Sequence, residues 1–308
     1  MMLRLALFLV TNLAVLLVFG VVLGVLVATG IVPPDLAQAY GPLLALCAAF
    51  GFGGALVSLA LSKEVARRAV GAQVIDRPRD ANEAWLLQTV TDLAKRAGIG
   101  TPEVAIYDSP EPNAFATGAR RDAALVAVST GLLRRMSRDG VEGVLGHEVA
   151  HVANGDMVTM TLLQGVLNTF VLFFSRIAGN LIDAALRGNS REQRQSYGYG
   201  PGYYLATVVA ELVLGLLATV IVMWFSRWRE FRADAGGARL AGTTSMLTAL
   251  EQLAASHGEE GHLPESLSAF GIRPGGGGLL AGLFRSHPPL DVRITRLRER
   301  ARGEGLDL

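Results

Sequence analysis

The stretch GVLGHEVAHVANGDM, residues 143–157, decides how this chain is read. It sets two histidines, His147 and His151, four positions apart, with Glu148 directly after the first, and no charged residue follows from Met157 to Ser175. Val141, Val144, Leu145, Val149 and Val152 recur at helical period, and Asn154-Gly155 is a stop signal. The pattern predicts a helix opening at Asp139, with Glu142 in capping-box spacing. Histidines at i and i+4 point the same way, with Cβ atoms ~5–6 Å apart, so both imidazoles reach one metal ion while Glu148 flanks it. The competing reading is a plain helix with two surface histidines and an ordinary glutamate.

Outward from that stretch the chain is a membrane protein. Hydrophobic residues make up 51% and charged residues 18%, and the apolar ones gather in blocks. Leu5–Pro34 and Leu36–Ser62 carry no charge, Met157–Ser175 is a third block, and Tyr203–Ser226 is a fourth, broken only by Glu211. A membrane-spanning helix needs ~20 apolar residues, so four apolar helices are expected. The first block is about twice the length of a signal-peptide core and reads as an uncleaved anchor. A net charge of +1 excludes a general nucleic-acid role. The single cysteine, Cys47, lies within the second block and forms no internal disulfide.

Charge sets the topology. Only Asp35 separates the first two blocks, whereas Lys63, Arg67, Arg68, Arg77 and Arg79 follow the second. The positive-inside rule puts a short 32–41 loop outside and the chain beyond Ser62 in the cytoplasm. If the third and fourth blocks both span, the external loop 179–202 carries Arg187, Arg191 and Arg194 against that rule. A shallow hairpin removes the conflict, and in either case His151 and Glu230 end on the same side.

VIDRPRD, 74–80, reads as a connector into a soluble region. There Asp80 caps a helix over 81–97 that Gly98 stops. EVAIYDS (103–109) and AALVAVS (123–129) read as strands with PNAFATGAR between them. SRWREFRADAGGARLAG, 226–242, reads as another helix after the fourth block, and PGGGG, 274–278, as a loop in a polar helical C-terminal region.

A catalytic zinc takes three protein ligands, and HEVAHVANGDM lacks a nearby third histidine, so the last ligand is remote. His257 and His262 lie in a polar, solvated stretch. Glu230 is better placed, with Asp234 one turn on where it accepts the N–H of a ligating histidine. Local pairing with Arg227, Arg229 or Arg232 is the alternative for both carboxylates. Glu211, ionisable inside an apolar block, is a functional candidate without an assigned role.

HEVAH, SRWREFRADAGGARLAG, PNAFATG and SHPPLDVRI (286–294), in this order among the apolar blocks, resemble the HtpX family of bacterial heat-shock membrane zinc endopeptidases, relatives of the CAAX prenyl endopeptidases. The resemblance runs over nearly the whole chain. It implies one Zn2+ held by His147, His151 and Glu230, Glu148 as the catalytic base and Asp234 behind a ligand. It also implies a substrate-binding edge strand at NAFATG, with Asn113, Ala114 and Phe115 nearest the metal. His287 then either stabilises the oxyanion or caps and packs a helix.

The expected fold class is a predominantly α-helical integral membrane protein with a cytoplasmic α+β domain of zincin (gluzincin) type carrying a small sheet. Residues 1–62 form a two-helix anchor, 63–156 the first part of the catalytic domain, 157–226 a membrane hairpin, and 227–308 the second part. The resemblance implies an endopeptidase of the bacterial inner membrane, multi-pass, that cleaves membrane or membrane-associated proteins in quality control under stress. Its partners are those substrates and the lipid bilayer. A specific processing peptidase of the CAAX type shares the site, and a metal-binding scaffold needs no base at Glu148.

Overall fold

The computed structural model describes residues 34–187, 199–259 and 287–303. The first apolar block and PGGGG lie outside these residues. The chain forms two compact units, one of Met1–Val57 with Thr161–Thr219, the other of Ser58–Met160 with Val220–Leu308.

Among the described residues three helices are long and apolar enough to cross a membrane. They are α1 (Pro34–Ala69), α5 (Asp156–Arg187) and α6 (Pro201–Ala241). At ~1.5 Å per residue each exceeds the ~30 Å of a bilayer core. Residues 34–41 of the expected 32–41 loop belong to α1 and are helical. The fourth block and SRWREFRADAGGARLAG are one continuous helix rather than two, since no proline intervenes and only the surroundings change. Leu205, Val208, Leu212, Leu216 and Leu217 stand exposed along α6, a face suited to lipid.

In the first unit small residues let helices approach. A Cβ on Gly51 of α1 would meet the Thr169 backbone nitrogen of α5 at 2.7 Å. Glu211, left without a role by the sequence, takes an ion pair from Arg176 Nη1 at 3.2 Å across α5 and α6.

In the second unit β1 (Gln73–Val74), β2 (Glu103–Tyr107), β3 (Ala114–Thr117) and β4 (Leu125–Ser129) form a sheet in the order β1-β2-β4-β3. Only β2 and β4 run parallel. β1 overlaps the expected connector 74–80 only at Val74, and two paired residues are too short to show alternation. β4 is buried along its whole length at the centre, and β3 forms one edge.

Helix α2 (Ala81–Ala97) starts at Asp80, whose side chain accepts from the Asn82 and Glu83 amides, and ends at left-handed Gly98. After α3 (Thr130–Arg135), helix α4 (Arg138–Asn154) carries the histidines. Its cap is Ser137, not the expected Asp139: the Ser137 hydroxyl accepts from the Gly140 amide, which leaves Asp139 within the first turn. Val141, Val144, Leu145, Val149 and Val152 of α4 pack with Leu86, Val90 and Leu93 of α2 and Val126 and Val128 of β4 in one core. The apolar period of α4 therefore faces the sheet, and α7 (Thr243–Glu259) and α8 (Leu290–Ala301) complete the unit.

Candidate metal centre

α4 presents His147 and His151 from one face, one turn apart, both buried. Their ring planes stand at 88° and their Nε2 atoms lie 3.1 Å apart. Glu230 comes from α6, with Oε2 3.5 Å from His147 Nε2 and Oε1 3.3 Å from His151 Nε2. Glycine makes the approach possible. Gly237 lies two turns beyond Glu230 and faces α4, where a Cβ would meet the His147 backbone nitrogen at 2.9 Å. A Cβ on Gly236 would meet that of Ala150 at 2.7 Å.

These donors fit a tetrahedral metal. With metal–nitrogen bonds of ~2.0–2.1 Å, the edges between ligands are about 3.3 Å. The two Nε2 atoms at 3.1 Å lie near that edge, and Glu230 sets Oε1 3.3 Å from His151 and Oε2 3.5 Å from His147, its two oxygens straddling the pair. The charges fit as well. Four carboxylates, on Glu148, Glu230, Asp156 and Asp234, act on this cluster against the two guanidiniums of Arg229 and Arg293. The surplus of two negative charges matches a divalent cation. Glu230 Oε2 is buried and accepts no well-formed hydrogen bond, although His287 Nδ1 at 2.8 Å and Arg293 Nη1 at 3.3 Å are within ion-pair range.

The far ring nitrogens are also held. His147 Nδ1 is 2.9 Å from Asp234 Oδ1, and Arg293 of α8 grips Asp234 at 2.9 and 2.6 Å. His151 Nδ1 is 2.6 Å from Asp156 Oδ2, which Arg229 Nη2 meets at 2.9 Å. Burial opposes charge on His147, but Asp234 and then Glu230 outweigh it and raise its pKa from 6.5 to about 10. On His151 burial likewise opposes charge, and Asp156 and Glu230 carry the shift upward. The site is built to hold positive charge.

The structure thus brings His147, His151, Glu230 and Asp234 together, with Glu148 next in sequence to the first. Of the suggested local partners, Arg229 turns to Asp156 and Arg232 lies over the Trp228 ring. His287 is exposed beside Glu230. The N-cap of α8 is Pro289, two residues after His287. Asn113 leads into edge strand β3, its amide bonded to Ser129 Oγ at 3.0 Å, and α4 packs against β3. Phe115 pairs with Ala127 and packs near the Tyr107 ring. His262 lies outside the described residues, as does the side chain of His257. Asp156, Arg229 as its partner, and Arg293 escaped the sequence reading. The nearest signal was Asp156 standing directly after the Gly155 stop.

The sequence model of Peptidase family M48 matches residues 80–301. Protease HtpX of Alkalilimnicola ehrlichii is 55% identical over 300 residues, covering 96% of this chain and 97% of that protein. Protease HtpX of Xanthomonas oryzae pv. oryzae is 58% identical over 295 residues, with the same coverage of 96% and 97%. In fold the chain is similar to the crystal structure of S. mikatae Ste24p, with a TM-score of 0.59 at 17% identity, over 94% of this chain and 66% of that one. The family match and these near full-length relatives explain why a histidine pair, a remote glutamate and membrane-length helices occur together: the chain belongs to peptidase family M48, as a membrane-bound, multi-pass metalloprotease related to HtpX.

Proposed function

We propose that the chain is a zinc endopeptidase that cleaves membrane and membrane-associated proteins at the cytoplasmic face of a bacterial inner membrane, in protein quality control under stress. The observation that carries this reading is the set of three buried residues, His147, His151 and Glu230, whose ligand atoms lie within 4.8 Å of one another. Bound zinc supplies Lewis acidity toward water and the scissile carbonyl. Glu148 takes the proton of the attacking water and passes it to the leaving amine. Asp234, braced by Arg293, orients the His147 ring.

The outer edge of β3 has no partner strand among the described residues and offers ladder groups to an extended substrate, with Asn113, Ala114 and Phe115 at its start. His287 donates to the oxyanion from its exposed position beside Glu230. One Zn2+ serves each chain. The membrane side rests on Lys63, Arg67 and Arg68 at the end of α1 with Arg77 and Arg79 after it, and on His151 and Glu230 lying on either side of the segment 157–226 in sequence.

The test is metal content by elemental analysis and cleavage of a membrane-protein substrate, measured on one detergent-purified sample before and after a chelator. Loss of both together, with recovery of both on adding zinc, is the expected result. Cleavage that continues in metal-free protein would overturn the reading.

A further inference from the structure

His147 and His151 have parallel arrangements behind them. His147 leans on Asp234, which Arg293 clamps; His151 leans on Asp156, which Arg229 clamps. Asp234 sits on the same helix as Glu230 and is accounted for above. Asp156 is the first residue of α5, and nothing in the function so far requires it.

We propose that Asp156 is the positioning residue for His151, and that Arg229 acts on the metal centre through Asp156. Local backbone chemistry places it. Gly155 adopts φ +69°, its N–H closes onto the carbonyls of His151 and Val152, and the chain turns so that the next side chain lies against the end of α4. Asp156 is only 5% exposed and Arg229 likewise 5%. A buried carboxylate shared between a ring nitrogen at 2.6 Å and a guanidinium at 2.9 Å has little rotational freedom.

His151 Nδ1–H donates to Asp156 Oδ2, which fixes the tautomer that leaves the Nε2 lone pair facing Glu230 and His147. Arg229 holds that carboxylate in place and is the immediate neighbour of Glu230, so one guanidinium links the backing of one ligand to the helix that supplies another. The bland alternative is that Asp156 merely complements the N-terminus of α5, as an acidic residue in a first turn does. That role changes stability but leaves the metal centre alone.

The inference rests on the reading of His151 as a ligand, and the experiment separates the two. Zinc dissociation constants are measured by chelator competition on the full-length protein in detergent, with melting temperature followed in parallel. Asp156→Ala is expected to weaken zinc by roughly 10–100-fold. Asp156→Asn, which keeps the shape and an acceptor oxygen for Nδ1–H, should recover part of that loss. It also covers the case of an alanine variant that does not fold. Arg229→Gln should weaken zinc in the wild-type background and add nothing in the Asp156→Ala background, because its path runs through Asp156. In Co2+-loaded protein the visible d–d bands should shift with Asp156→Ala. Wild-type affinity in both Asp156 variants, or an Arg229→Gln loss that adds in full to that of Asp156→Ala, would overturn the proposal. If His151→Ala itself kept wild-type affinity, the ligand reading would fall instead.

Discussion

Glu230 reaches the histidine pair only because α6 lies against α4 on glycine, and Gly237→Ala tests that directly. A Cβ at Gly237 would stand 2.9 Å from the His147 backbone nitrogen, 3.1 Å from its Cα and 2.9 Å from Met246 Sδ. The sulfur ends a flexible side chain and can swing aside, but the α4 backbone cannot. Relief to an ordinary contact of ~3.4 Å or more requires the helices to separate by about 0.5 Å, and overpacking of this kind costs about 1–3 kcal/mol. The protein can keep the strain or let α6 retreat, carrying Glu230 and Asp234 with it.

Since zinc must pull the helices back to coordinate, the loss of affinity is bounded by that strain, roughly 5- to 150-fold. Gly215→Ala is the control on the same helix, because a Cβ there meets nothing within 4 Å. It should leave zinc binding unchanged and hold stability or raise it slightly. The assay is chelator competition on both variants in detergent. Wild-type zinc affinity in Gly237→Ala would refute the claim that this glycine contact positions the third ligand.

Glu148→Gln keeps the size of the side chain but not its basicity, so zinc content should stay near wild type while hydrolysis falls by ~10²–10⁴-fold; undiminished cleavage would remove Glu148 as the base. Arg176→Met together with Glu211→Leu should be more stable than Glu211→Leu alone, since the single change strands a guanidinium inside the helix pair; equal melting temperatures would show the ion pair idle. In chelator-treated protein His147 titrates near pH 10 against an ordinary 6.5, so its bound proton stabilises the fold fully below pH 6.5 and that contribution is lost as pH rises toward 10. The melting temperature of the stripped protein should fall across that window, and a rise would contradict the sign. Single cysteines at Asn82 and Gly303 in a Cys47→Ser background should resist an impermeant thiol reagent added to intact cells; labelling at either would place the catalytic unit outside.

What the sequence disclosed depended on the range over which each residue finds its partner. The α4 face Val141, Val144, Leu145, Val149 and Val152 was legible because period 3.6 is written in adjacent turns, and it does pack into the core. Asp80 and Gly98 were legible because caps satisfy amides within a few residues. The opening of α4 was misplaced by two residues for the same local reason: Ser137 and Asp139 both offer cap chemistry, and only backbone geometry chooses between them. Arg293 is different in kind. It stands 59 residues from Asp234, and no periodicity or spacing connects a helix near the end of the chain to a carboxylate on α6.

Asp156 lies between these extremes. Five residues from His151, it was near enough to notice, but a carboxylate after a helix stop normally serves the helix that follows. What redirects it is Arg229, 73 positions on, whose guanidinium fixes the carboxylate where the His151 ring can use it. The same arginine was weighed at the sequence level as a partner for Glu230 or Asp234, and had it paired there, a potential metal-binding carboxylate would have been neutralised within its own helix. Arg229 faces Asp156 instead, and the groups within ion-pair range of Glu230 Oε2 are His287 at 2.8 Å and Arg293 at 3.3 Å. The arginine's choice of partner thus reaches the centre through one histidine: it holds Asp156 where the His151 ring meets it.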